Sequence, residues 1–142
     1  MSRRRVPVSG FRLAGETPAL PGGSWGGRSK AFGGRFLLRA IAGEQVNFVT
    51  TNFVLLECGN AAARRPYRSA PSRLCKKLEQ QGKLISPTVE DWKAAWTNYE
   101  NGEVDAAGIV DHASFVVMRR LGIAKAFTND RHFRAAGFEN LF

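Results

Sequence analysis

Residues 108–130 read GIVDHASFVVMRRLGIAKAFTND, and the fold is decided there. Ile109, Val110, Phe115, Val116, Val117 and Met118 give residues 108–121 the apolar face of a packed helix. Gly122 caps that helix. Residues 124–128 form a short, mostly apolar segment that reads as a strand, and Asp130 opens a short helix running to Ala136. A helix feeding a strand that feeds another helix is the repeating unit of a parallel sheet, because parallel strands need a crossover between them.

The same alternation extends upstream. Val46–Thr50 alternates apolar and polar residues as a short strand. Thr51 and Asn52 are N-cap types for a helix from Phe53 to about Arg64, ended by Pro66. Residues 71–81 read as a helix with Leu74 and Leu78 on one face and Lys76 and Lys77 on another. Leu84–Ser86 reads as a strand. Ser86, Pro87 and Thr88 open a helix on which Val89, Trp92, Trp96 and Tyr99 recur at helical spacing, expected to be core rather than a base-stacking platform. Residues 36–42 suit the end of a helix stopped by Gly43, and residues 140–142 a final strand. The class is therefore α/β, a parallel sheet covered by helices on both sides. Ligands of such sheets gather at the C-terminal ends of the strands.

The chain has 142 residues, suited to one domain with one core. No apolar run reaches the roughly 20 residues of a membrane span. The Arg-rich start lacks the apolar stretch of a secretory signal, so the expected location is cytoplasmic. Cys58 and Cys75 are too few for a disulfide framework. The net charge of +9 is unevenly spread. Residues 1–42 hold eight Lys/Arg and one acid, Glu16, for +7, whereas residues 43–142 hold thirteen Lys/Arg and eleven acids, for +2. The basic balance is thus a property of the first segment and does not argue for RNA binding by the rest. Residues 1–34 also hold eight of the fifteen Gly and three of the six Pro, and read as irregular or disordered. Val6, Val8, Phe11 and Leu13 give a weak strand signal there, interrupted by Pro7 and Gly10.

Three acids stand where a parallel sheet would gather them. Glu57 lies early in the helix after the first globular strand, Asp111 at the start of the 108–121 helix, and Asp130 just beyond the strand ending at Thr128. Clustered carboxylates repel one another, and a hard dication with oxygen ligands, Mg²⁺ or Mn²⁺, resolves that repulsion. Each acid also has a structural reading: a dipole-favoured position for Asp111, an N-cap for Asp130, a solvated helix position for Glu57.

The residues themselves carry a resemblance. Residues 51–60, TNFVLLECGN, resemble the second conserved block of PIN-domain ribonucleases; residues 108–123 look like the third, and 126–138, AFTNDRHFRAAGF, like the last. Three blocks in order over residues 46–142 are most similar to the VapC toxin branch of bacterial toxin–antitoxin systems. The resemblance implies a PIN-like three-layer fold and Mg²⁺-dependent endoribonuclease activity (Mn²⁺ serving as well). It implies Glu57, Asp111 and Asp130 as catalytic metal ligands and Asp105 as an auxiliary acid. It further implies an RNA substrate, a cognate antitoxin and a homodimer as partners. Thr51 and Asn52 would lie near the active edge, with Arg64, Arg65 and Arg68 as candidates for holding RNA phosphates and Ser114 or Thr128 contributing a hydroxyl. His112 has no expected role as a base, and His132 is expected to pack or cap locally.

The pattern breaks at the N-terminus. The family's central first strand ends in an aspartate, yet no Asp precedes Asp91. Residues 35–142 are therefore expected to form a PIN domain lacking that strand. The composition of residues 1–34 suits translation out of frame: Glu16-Thr-Pro-Ala, read two nucleotides later, can encode an Asp-Thr pair. Loss of one of four acids points to a damaged enzyme or to a non-catalytic module that binds an antitoxin or RNA.

Overall fold

The computed structural model describes residues 8–11 and 47–141. In chain order they form β1 (Val8–Phe11), β2 (Asn47–Thr51), α1 (Asn52–Ala62), α2 (Ala70–Gln80), β3 (Leu84–Ile85), α3 (Val89–Glu100), α4 (Ile109–Leu121), β4 (Lys125–Phe127), α5 (Arg131–Ala135) and β5 (Glu139–Asn140). The proposed helix end at 36–42, Glu16 and the domain boundary at residue 34 lie outside the described residues.

The five strands make one sheet in the order β3-β2-β1-β4-β5, and every adjacent pair is parallel. The expectation of a missing central strand is corrected at this point. Val8–Phe11 holds the middle position, with Ser9 opposite Phe48 on β2 and Gly10 opposite Ala126 on β4. The strand falls on the weak signal at Val8 and Phe11, and backbone pairing on both sides compensates for the interruption at Gly10.

Local chemistry sets the helix ends. The Thr51 hydroxyl accepts from the Val54 N–H at 3.3 Å and caps α1. Thr88 and Asp91 form a reciprocal capping box on α3. Gly122 ends α4 at φ +68°, a backbone that L side chains rarely adopt. The core lies between α4 and the β4–β5 edge. Phe115 on α4 meets Phe133 and Phe138 at ring-centroid distances of 4.9 and 5.7 Å, with Met118, Ile123 and Ala126 closing around them.

The aromatic stripe of α3 is a second correction. Trp92, Trp96 and Tyr99 are 48%, 42% and 47% exposed, while Asp91 and Ala95 are the buried residues of this helix. Helical spacing identifies a stripe but not which stripe faces inward, and α3 turns its small and ion-paired residues toward α4. There the Arg120 guanidinium holds both Asp91 oxygens, with contacts of 2.7 to 3.1 Å. This pairing keeps the Asp91 carboxyl below its ordinary pKa, against the opposing effect of burial. A carboxyl whose folded pKa is depressed contributes stability above its unfolded pKa, about 3.9, and loses it as pH falls through the folded value. Urea midpoints should therefore drop on acidification below about pH 4, and the drop should be shallower in Asp91→Asn. An equal slope in the two proteins would mean that other carboxylates govern acid stability.

Among the described residues, no helix is long and apolar enough to cross a membrane.

Candidate metal centre

The C-terminal ends of β2, β1 and β4 lie side by side, so the loops and helices that follow them share one edge of the sheet. Two helix starts bring carboxylates to it. Asp111, in the first turn of α4, accepts the Gly108 N–H on Oδ2 at 3.1 Å, and its side chain is 8% exposed. Asp130 is the N-cap of α5 and accepts the His132 N–H on Oδ1 at 2.9 Å. Its backbone is held in turn: the Asp130 N–H donates to Thr128 Oγ1 and its carbonyl accepts from Asn140 Nδ2 at 2.8 Å. Both acids thus satisfy their structural readings as helix-start residues, and those bonds fix where the carboxylates stand.

The capping turn at Asp130 also brings in the His132 imidazole. His132 Nδ1 is 2.8 Å from Asp130 Oδ1 and 4.0 Å from Asp111 Oδ2. One ligand atom from each of Asp111, Asp130 and His132 falls within 4.8 Å of the others, a spacing that one small cation can bridge. Two carboxylate oxygens and an imidazole nitrogen are donors that divalent Mg²⁺, Mn²⁺ and their neighbours accept, so the residues present fit a divalent metal. Sequence reasoning gave His132 only local packing. The His-Phe pair after Asp130 was the available signal, but the ring direction follows from the N-cap geometry and not from spacing.

The other expected site residues fall elsewhere. Glu57 is outside this cluster and lines a groove of about 490 Å³, together with Phe53, Trp92, Trp96 and the residues just before Asp111, Ile109 and Val110. Asp105 is exposed in the turn before α4 and also outside the cluster. Thr51 is buried as the α1 cap, whereas Asn52, half-buried, donates from Nδ2 to Ser86 Oγ at 3.5 Å across the strand ends. Ser114 donates to the Val110 carbonyl, and Thr128, fully buried, accepts from the Asp130 N–H. His112 is buried and packed between Tyr99 and Phe115. Arg64 and Arg68 are exposed and Arg65 half-buried in the turn that follows α1. β1 reads VSGF and contributes no acid to the edge.

No family model matches the chain. No curated protein matches it either. Among solved structures, VapC20 of Mycobacterium tuberculosis, described as a toxin cleaving the sarcin–ricin loop, superposes with a TM-score of 0.66 at 21% identity, over 93% of this chain and 97% of its own. The chain therefore has the PIN-like α/β fold seen in that toxin.

Proposed function

We propose that the chain is a divalent-metal-dependent endoribonuclease of the PIN class, acting as the toxin of a toxin–antitoxin pair. The single observation that carries this reading is the convergence of Asp111 and Asp130, with His132, at the C-terminal edge of a parallel sheet. Likeness in fold to an RNA-cleaving toxin supports it. Asp111 and Asp130 would hold the cation, and Glu57, from α1, would face the approaching RNA beside it. A cation bound there would supply a water of lowered pKa and neutralise charge on the leaving oxygen. The acid that four-acid relatives place at the end of the central strand has no counterpart in Val8–Phe11, so cation binding rests on fewer carboxylates and turnover is correspondingly weak. The test is cleavage of a structured RNA with added Mg²⁺ or Mn²⁺. Turnover should vanish in EDTA and in Glu57→Gln, and cleavage that persists in EDTA would overturn the reading.

The α1–α3–α4 groove favours a second role that coexists with the first. Phe53, Trp92, Trp96 and Tyr99 form a chain of edge-to-face rings, each pair 5.6 to 5.8 Å apart, along an exposed apolar wall beside the metal centre. Large aromatics left in solvent are the typical anchors of a protein interface. We assign this groove to an apolar segment of the antitoxin. Trp96→Ala should weaken the complex with a cognate antitoxin by about 2 kcal/mol, roughly 30-fold, with RNA cleavage by the free toxin unchanged. An undiminished affinity by titration calorimetry would move the antitoxin to another surface.

A further inference from the structure

The structure assigns His132 as a direct metal ligand through Nδ1, making the site a two-carboxylate, one-imidazole centre suited to a transition-metal dication of the Mn²⁺ type. The inference rests on the metal-dependent reading above and concerns which atoms hold the ion. With metal–ligand distances near 2.1 Å, ligands at neighbouring corners of an octahedron stand about 3.0 Å apart and those at opposite corners about 4.2 Å. His132 Nδ1 lies 2.8 Å from Asp130 Oδ1 and 4.0 Å from Asp111 Oδ2. The first is also a hydrogen-bond distance and the second an ion-pair contact, and one shared cation would span both.

Sequence and fold together supply a reason for a third donor. The central strand brings no carboxylate to this edge, and among the described residues the imidazole completes the set of three. The nitrogen changes the preference of the site: carboxylate oxygens serve Mg²⁺ and Mn²⁺ alike, whereas imidazole favours transition metals over Mg²⁺. His132 sits on α5, whose start is fixed by the Asp130 cap, and Phe133 is locked in the core, so the ring is carried by a rigid support.

The deciding experiment uses the full chain and Mn²⁺ as the probe. Electron spin-echo measurements on the Mn²⁺-loaded protein should show nitrogen-14 coupling, and His132→Ala should remove it, which also separates His132 from His112. By titration of the free Mn²⁺ signal, His132→Ala should loosen binding at least about 10²-fold, with Mg²⁺ affinity changed far less. Asp111→Asn should lose the Mn²⁺ site. Mn²⁺ bound without nitrogen coupling, Mn²⁺ affinity unchanged in His132→Ala, or no Mn²⁺ binding by the native chain would each overturn the assignment. Should His132→Ala misfold, His112→Phe carries the same attribution: coupling that persists there belongs to His132, and coupling lost there would overturn the assignment. Nitrogen-coupled Mn²⁺ in a protein that cleaves no RNA would refute the nuclease reading and leave the ligand assignment standing. Cleavage without nitrogen coupling would do the reverse.

Discussion

Asp111→Asn and Asp130→Asn should each lower metal-dependent RNA cleavage by at least about 10²-fold while leaving the fold in place. Residues that only support metal ligands typically cost 10- to 100-fold when removed, so a ligand itself should cost no less than the upper end of that range. Asparagine keeps an oxygen that can accept the Gly108 N–H at position 111 or the His132 N–H at position 130. The helix caps therefore survive, and only the charge that attracts the cation is lost. Initial rates on a labelled RNA, measured beside thermal midpoints, check both halves. A rate drop accompanied by a collapse in melting temperature would assign these acids to the fold, and an unchanged rate in both variants would remove them from the reaction.

The second large effect is on stability. Phe115 is 1% exposed, and its ring contacts those of Phe133, Phe138 and His112. Phe115→Ala should cost about 3–5 kcal/mol, the sum of lost transfer energy and an unfilled cavity. For a domain whose total stability is of order 5–15 kcal/mol, that leaves a marginal protein. Urea unfolding gives the number directly, with Leu121→Ala, at the exposed end of the same helix, changing it by less than about 1 kcal/mol. A loss below 1 kcal/mol at Phe115 would mean that the aromatic cluster is not the centre of the core.

What was legible in the sequence tracks what is local. The starts of α1, α3 and α5 were readable because Thr51, Thr88 and Asp130 signal their caps a few residues away. Asp111 and Asp130 were readable because each stands at the first turn of an element with a clear boundary. The central strand was legible only as the weak signal at Val8 and Phe11, since its middle place is owed to partners on β2 and β4 that no local pattern announces. The side of α3 that faces solvent was misread for a related reason. Asp91, buried and held by the exposed Arg120 guanidinium, occupies the inward position that apolar residues were expected to take. The approach of the His132 ring to Asp111 and Asp130 was not legible, because the direction of that ring depends on its contact with Asp130 Oδ1, which spacing does not encode.

The central strand bears finally on how the chain reaches its native state. Gly10 must find Ala126, nearly the full length of the chain away, before the sheet is continuous. Contacts of such high sequence separation slow the search and come late, because the closure entropy precedes the reward. During synthesis β1, β2 and β3 leave the ribosome before β4, so β1 waits for its second partner. Until then the β1 edge that β4 will cover stays open to pairing with other chains. The vulnerable period of this protein is therefore its birth, when the middle strand of its sheet has only one neighbour.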